Sequence, residues 1–188
     1  MSYIKVSGIV IKEVNTGEAD KIITIFSRER GKITASAKGA RRPKSKFSAC
    51  TQLFGYNNYV LFSGREIYSV NSCEVVEPFY EIRNDIIKLT YASHFVDIIS
   101  DTVQEGQPAV KILKLLLNSL YILSRTDREA ELIARIFELR FLALAGYAPQ
   151  VSGCCVCGKE TGSSFSFSFK KCGLICSDEK CMSQDIFS

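Results

Sequence analysis

Cysteine is the residue type with the clearest chemical pattern in this chain. Six of the eight cysteines fall within 28 residues towards the C-terminus, at Cys154, Cys155, Cys157, Cys172, Cys176 and Cys181. Cys154 and Cys157 have the C-x₂-C spacing with which two thiolates bind one metal ion through a tight turn. Residues 165–169 then alternate like a hairpin strand. This order predicts a zinc ribbon, whose four thiolates leave no open coordination position, so the zinc would be structural.

Six cysteines for four ligand positions require a choice. The expected ligands of one structural Zn²⁺ per chain are Cys154, Cys157, Cys176 and Cys181. Cys155 lies inside the first turn and is expected to point away, while Cys172 precedes the return of the hairpin and is the alternative fourth ligand. The other two cysteines, Cys50 and Cys73, stand apart in strand-like sequence. This distribution differs from the disulfide framework of a small secreted domain.

Sequence motifs of catalysis are missing. The only histidine, His94, is followed by Phe95 and Val96, whereas a zinc deaminase needs H-x-E. The sequence also has no phosphate-binding loop, no H-E-x-x-H and no G-x-S-x-G. Glu18 and Asp20 fit a polar turn between strands better than a metal site. We therefore expect a protein that is not an enzyme, with His94 as an ordinary helix residue.

The second chemical pattern is a run of positive charge. Between Arg28 and Lys46, eight basic residues stand against one acid, a net charge of +7 in a chain whose total is +4. A solvated loop is the simplest interpretation of such a run, but aromatic residues that could stack on bases lie close by, at Phe47, Phe54, Tyr56 and Tyr59. Phosphate-neutralising charge beside aromatic rings predicts a nucleic-acid site. The expected DNA contacts are Lys32, Lys38, Arg41, Arg42, Lys44 and Lys46.

The basic run belongs to a region that reads as β-strands. Alternating apolar residues and turn signals predict five strands, at 3–14, 21–27, 31–37, 51–62 and 66–76. The alternation of the first strand slips by one residue at Gly8, which predicts a β-bulge or a sharp bend there. Five short strands indicate a small barrel, for which the OB-fold is favoured and an SH3-like barrel is the alternative.

Helical periodicity replaces strand alternation after Pro78. It predicts helices over 81–104 and 109–124, and a third helix that begins with a capping box of Thr126 and Glu129 and ends at Gly146. The apolar face of this third helix is predicted to contain Ile133, Ile136, Phe137 and Leu144. The fold class is therefore α+β, with three predicted domains: the OB barrel at 1–78, a helical bundle at 79–150 and the zinc element at 151–188.

Composition fits a folded protein without a membrane span. The 188 residues are 46% hydrophobic and 23% charged, with a mean hydropathy of +0.07. Lys114 and Asn118 interrupt the most apolar stretch, 112–123, which is shorter than the roughly 18 apolar residues of a membrane helix. The first ten residues lack the layout of a signal peptide. We expect a cytoplasmic protein.

Several sequence segments occur in the order and spacing that are specific to one family. They are Gly8–Val10, Gly17–Ile22, Arg30–Ile33, Lys38–Ser45, Phe137–Leu142, Gly146–Pro149 and Cys154–Gly158. From residue 3 to about 181, the chain resembles the RecO family of bacterial recombination mediators. The resemblance implies an OB-fold, a helical domain and a zinc element in a non-enzymatic protein. It also implies binding to single- and double-stranded DNA, annealing of complementary strands and assistance in loading RecA. The implied protein partners are RecR and the acidic C-terminal tail of single-strand-binding protein, with RecF and RecA as further candidates.

The sequence departs from the family pattern in two places. It ends seven residues after Cys181, where family members continue with further helices, so we expect an incomplete helical domain. The second metal pair, Cys176-x₄-Cys181, is longer than usual, and Cys172 stands where the family has a glycine. Two functions remain as alternatives: a zinc-containing nuclease, and a protein adaptor that binds DNA only incidentally.

Overall fold

The N-terminal strands form a closed barrel. The computed structural model describes residues 2–64, 67–160 and 164–186. The first five strands are β1 (Tyr3–Thr16), β2 (Asp20–Ser27), β3 (Gly31–Ala37), β4 (Tyr56–Phe62) and β5 (Tyr68–Glu77). They close in the order β1-β2-β3-β5-β4, with β3 and β5 parallel and the other pairs antiparallel. This five-stranded Greek-key barrel confirms the OB-type prediction over the SH3-like alternative.

Side-chain alternation builds the interior of this barrel. Along β3, Ile33, Ala35 and Ala37 are buried, while the residues between them are half-buried. Neighbouring strands add large side chains to the same core, including Ile25 and Leu61, both fully buried. The period of two in the sequence therefore reports correctly which residues face inward.

The bulge in β1 lies at Ile11 rather than at the predicted Gly8. The register between β1 and β2 shifts around Ile11, and the residues on both sides of it pair regularly. Gly8 instead permits a close approach of two strands. A Cβ atom there would lie 2.5 Å from Cγ2 of Ile25 and 2.8 Å from the carbonyl oxygen of Phe26. Gly8 is therefore a position of close strand packing. A glycine in such a position interrupts the alternation of apolar residues in the sequence just as a bulge does.

Four helices follow the barrel: α1 (Tyr80–Arg83), α2 (Ile86–Thr102), α3 (Val110–Arg125) and α4 (Ala130–Leu144). The helix predicted over 81–104 is divided into α1 and α2, because Asp85 is the N-cap of α2. Its Oδ1 accepts hydrogen bonds from the backbone N–H groups of Ile87, at 2.9 Å, and Lys88, at 3.1 Å. An aspartate that satisfies these N–H groups starts a new helix rather than continuing the old one.

The predicted capping box of α4 is wrong. Thr126 is the C-cap of α3, where its hydroxyl donates to the carbonyl of Ile122 at 2.8 Å. Only two of the four residues predicted for the apolar face of α4 are buried. Ile133 and Phe137 are 6% and 0% exposed, whereas Ile136 and Leu144, at 44% and 41%, face solvent.

Helices α2 and α4 contact each other through an aromatic pair and a histidine–carboxylate hydrogen bond. Phe95 and Phe137 stack with ring centroids 4.3 Å apart. Next to them, Nε2 of His94 lies 2.8 Å from Oε1 of Glu138, and the other carboxylate oxygen, Oε2, accepts a hydrogen bond from Arg135 at 2.8 Å. Partial burial opposes ionisation of the Glu138 carboxyl, but these two partners outweigh it and leave its pKa lowered. His94 thus has the structural role expected of it.

The chain divides into two compact units, Met1–Glu138 and Leu139–Ser188. The second unit contains β6 (Gln150–Cys154), β7 (Phe165–Ser168), β8 (Gly173–Cys176) and α5 (Glu179–Ile186), with the three strands in the order β6-β8-β7. The finer division at residues 78 and 150 stays a prediction. Within the described ranges, no helix combines the length and the apolar character needed to cross a bilayer.

Candidate nucleic-acid interface and metal site

Residues 38–48, here called the basic loop, follow β3 as a series of hydrogen-bonded turns. The N–H of Gly39 donates to Oδ1 of Asp20 at 2.7 Å, and that of Arg41 donates to the carbonyl of Ala19 at 2.9 Å. Further along, the N–H of Ser45 donates to the carbonyl of Arg42 at 3.1 Å. Gly39 has φ +68°, a left-handed conformation that glycine adopts without strain. The basic loop is therefore held against the turn between β1 and β2.

Buried side chains anchor the basic loop in the barrel. Ala40 and Phe47, 3% and 9% exposed, are part of the hydrophobic core, as is Cys50 just after the loop. Five cations of the basic loop lie on either side of Ala40 and are exposed: Lys38, Arg41, Arg42, Lys44 and Lys46. Buried residues within and just after the basic loop thus tie it to the barrel, which holds five positive side chains on one solvent-facing loop.

A buried polar network fixes the chain just after the basic loop, at Cys50. The hydroxyl of Tyr59 donates to the carbonyl of Cys50 at 2.6 Å, and Nδ2 of Asn57 donates to the same carbonyl at 3.2 Å. Burial raises the pKa of Tyr59, so its hydroxyl keeps the proton that it donates. Cys50 also forms a disulfide with Cys73 of β5, with Cα atoms 6.4 Å apart. Sequence reasoning missed this link, because the two cysteines are 23 positions apart and only the barrel brings them together.

Lys32 lies apart from the other predicted DNA contacts. It is in β3, where its Nζ donates to the carbonyl of Ser100 in α2 at 2.6 Å. Lys38 follows Lys32 by six positions along β3 and its end, which corresponds to about 20 Å at roughly 3.3 Å per residue. Arg28 and Arg30 precede Lys32 in the turn between β2 and β3. The +7 segment therefore divides into two groups, and the basic loop carries five of its eight cations.

Three of the four aromatic residues expected to stack on bases are buried, so that expectation is wrong for them. Phe54 and Tyr59 are 0% and 2% exposed, and Phe47 is in the barrel core. Tyr56 is half-buried. The Nζ of Lys46 lies 4.9 Å from the ring centroid of Phe47, so the two side chains form a cation–π contact.

The structure brings the four predicted zinc ligands together. The Sγ atoms of Cys154, Cys157, Cys176 and Cys181 all lie within 4.8 Å of one another. Four sulfurs around a tetrahedral zinc, each about 2.3 Å from it, are about 3.8 Å apart. The Sγ atoms of Cys157 and Cys176 are already 3.7 Å apart. These four cysteines could therefore hold a metal ion of this kind with small adjustments.

Different elements position the two halves of this cysteine cluster. Cys154 ends β6, and the following turn closes through the N–H of Gly158, which donates to the Cys154 carbonyl at 2.8 Å. Cys176 ends β8, whereas Cys181 lies in α5. A helix in place of a second tight turn explains the long x₄ spacing. Cys172 lies in the turn between β7 and β8, where its thiol donates to the Phe169 carbonyl at 3.5 Å.

Thiol acidity within the cluster is uneven. Hydrogen bonds from backbone N–H groups, above all that of Cys176, lower the pKa of Cys154 to about 6. Burial and the neighbouring sulfurs raise the pKa of Cys181 to about 12. One thiolate therefore forms readily, but four adjacent thiolates would repel one another. A divalent cation removes this conflict, since a thiol that coordinates a metal is deprotonated.

Both parts of this chain match models of known protein families. The family model "Recombination protein O N terminal" matches residues 1–79, and "Recombination protein O C terminal" matches residues 83–188. A DNA repair protein RecO from Acetivibrio thermocellus is 59% identical over 98% of this chain and 73% of its own length. The chain belongs to the RecO family. Proteins of the same name from Alkaliphilus metalliredigens and Caldicellulosiruptor saccharolyticus are each 39% identical, over 98% and 96% of this chain and 74% and 73% of their own lengths.

RecO membership agrees with the two features that the sequence predicted. The family is one of DNA repair proteins, and a role as a recombination mediator is consistent with this membership. The OB-type barrel with its basic loop lies within the N-terminal match, and the cysteine cluster lies within the C-terminal match.

Proposed function

We propose that this RecO-family chain is a non-enzymatic recombination mediator that binds single- and double-stranded DNA through its basic loop. The observation that carries the proposal is a set of five exposed cations on a loop whose apolar residues are part of the barrel core. An anchored loop holds its charges in place before DNA arrives, so less conformational entropy is lost on binding than with a disordered loop.

Annealing of complementary strands follows from the kind of contact that such a loop makes. Two DNA strands repel each other, and a carrier that neutralises the phosphates of both lets them approach. Lysine and arginine contacts to phosphate supply affinity without reading sequence. The burial of Phe47, Phe54 and Tyr59 supports this mode, because these three rings near the loop are unavailable to bases. We propose that annealing by this route prepares DNA for RecA loading.

The cysteine cluster has a structural role in this proposal. Cys154, Cys157, Cys176 and Cys181 would bind one Zn²⁺ and join β6, β8 and α5 into one folded element. Bound zinc supplies this cross-link and no reactive position, because the four thiolates complete its coordination. The zinc-containing nuclease is therefore the less favoured function.

The proposed partners and location follow from the family resemblance and from charge. RecR and the acidic tail of single-strand-binding protein are the proposed protein partners, with RecF and RecA as further candidates, and the proposed location is the cytoplasm. An acidic tail has the charge that the basic loop attracts. A pure adaptor, by contrast, would not need five exposed cations on one anchored loop.

Binding to a panel of unrelated DNA sequences tests the function. Replacing Arg41, Arg42, Lys44 and Lys46 by Ala should weaken binding to every sequence by a similar factor, as measured by gel shift at low salt. Unchanged affinity would refute the proposal that the protein binds DNA through the basic loop. Incubation of the purified protein with labelled DNA and Mg²⁺ or Zn²⁺ should leave the DNA intact, and metal-dependent cleavage that persists through purification would favour the nuclease.

A further inference from the structure

The turn between β7 and β8 carries a highly exposed aromatic residue. Phe169 is 88% exposed, and its ring lies against that of Phe167, 43% exposed, with centroids 5.4 Å apart in an edge-on arrangement. Lys170 and Lys171 come next and are both exposed. Residues 169–172, here called the hairpin tip, thus combine an aromatic face with two adjacent cations.

Hydrogen bonds hold the hairpin tip in a defined conformation. The N–H of Lys171 donates to the hydroxyl of Ser168 at 3.1 Å, and the N–H of Gln150 donates to the carbonyl of Cys172 at 2.9 Å. Gly173 pairs with Ser168 on one side and with Gln150 on the other, so all three strands meet at this end of the sheet. The hairpin tip is therefore part of the sheet's hydrogen-bonded framework.

The charge around the hairpin tip favours a polyanion. Residues 164–177 contain two lysines and no acid. The next acids along the chain are Asp178 and Glu179, which follow Cys176. Cys176 ends β8, three positions and so roughly 10 Å along the strand from Gly173 next to the hairpin tip. A third exposed ring, that of Tyr147 at 76%, precedes Gln150, which lies beside the hairpin tip. Exposed rings beside lysines are the combination with which proteins bind single-stranded nucleic acid, by stacking on bases and neutralising phosphates.

We infer that the hairpin tip is a second DNA contact, specific for single strands, in which Phe169 stacks on an unpaired base and Lys170 and Lys171 contact the neighbouring phosphates. The inference rests on the proposed DNA-binding function and assigns a part of it to the cysteine-rich unit. Bases in a duplex are already stacked and paired, so the ring of Phe169 can distinguish single strands where the basic loop cannot. The aromatic contact that was expected beside the basic loop is thus assigned to another part of the chain.

The chain contains no tryptophan, which makes a direct test simple. In the full chain, Phe169→Trp places the only indole at the hairpin tip, and stacking on a base should quench its fluorescence. A fluorescein-labelled single strand of thymidines, followed by anisotropy in parallel, reports binding itself. Tyr121→Trp, on an exposed position of α3, is the matched control and should show no quenching when DNA binds.

Affinity measurements separate the two proposals. Stacking of one base corresponds to about 5- to 150-fold in affinity, so Phe169→Ala should weaken single-strand binding by that factor and change duplex binding less than about twofold. Tyr121→Ala should change neither. If the unmodified protein does not bind the labelled strand, the proposed function fails. If it binds normally and Phe169→Ala binds equally well, only the inference about the hairpin tip is overturned.

Other occupants of the hairpin tip would give different signals. Quenching of the Phe169→Trp variant by an acidic peptide but not by DNA would overturn the inference in favour of a protein interface. A fluorescence change with protein concentration alone, without DNA, would overturn it in favour of self-association. Equal zinc content in all variants shows that the element is folded, and retention of single-strand binding by Phe169→Trp supports a role for an aromatic ring at this position.

Discussion

The salt dependence of duplex binding tests the basic loop quantitatively. Each phosphate that a protein neutralises contributes about −0.9 to the slope of log K against log[salt] on duplex DNA. Five loop cations therefore predict a slope of about −4.5, and replacing Arg41, Arg42, Lys44 and Lys46 by Ala leaves only Lys38, with a slope of about −0.9. Between 50 and 200 mM salt, affinity should fall about 500-fold for the unmodified protein and about 3.5-fold for the variant.

The assay is fluorescence anisotropy of a labelled duplex at four salt concentrations. A duplex is chosen because the hairpin tip is inferred to act on single strands and would add its own lysines to the slope. The control variant removes the same number of charges at exposed positions outside the loop, Arg28, Arg30, Lys111 and Lys114. It should keep a slope near that of the unmodified protein. An unchanged slope in the loop variant, or an equal flattening in the control, would refute the reasoning.

Three further predictions concern stability and metal. Tyr59→Phe removes the hydroxyl that donates to the buried Cys50 carbonyl and should lower the free energy of unfolding by about 1–2 kcal/mol in urea titrations; an unchanged midpoint would contradict the role of this network. Cys181→Ser should abolish stoichiometric zinc in elemental analysis while Cys172→Ser retains one equivalent per chain, and the reverse would make Cys172 the fourth ligand. The lowered pKa of Glu138 stabilises the fold above the unfolded-state value near 4.3, and this contribution is lost as pH falls through the folded-state pKa. Glu138→Gln should therefore flatten the acid side of the pH–stability profile, and an unchanged profile would show that the ion pair contributes little.

The fold was largely predictable because its signals are local. The alternation of Ile33, Ala35 and Ala37 defines β3 at its observed bounds, and the C-x₂-C spacing located the cysteine cluster. Capping signals were less certain, because one threonine can end a helix or begin the next. Thr126 does the former, since its hydroxyl meets a carbonyl of the preceding turn.

Features set by long-range geometry could not be predicted from the sequence. Nothing in the sequence around Phe54 shows whether its ring faces the core or solvent, and the ring is fully buried. The disulfide between Cys50 and Cys73 depends on how the barrel closes. Lys32 belongs to the same charge run as Lys38, but the strand between them separates the two ends of that run. Charge density along a chain therefore overstated the charge density of any one surface.

Annealing of complementary strands is the most direct test of the proposed function. Two complementary oligonucleotides of mixed sequence, labelled with a donor and an acceptor dye, are combined with the unmodified protein, the basic-loop variant or the control variant that lacks four other cations. The basic loop as carrier predicts fast annealing with the unmodified protein and the control, and annealing close to the protein-free rate with the loop variant. Equal acceleration by all three proteins would contradict the claim that the anchored basic loop brings DNA strands together.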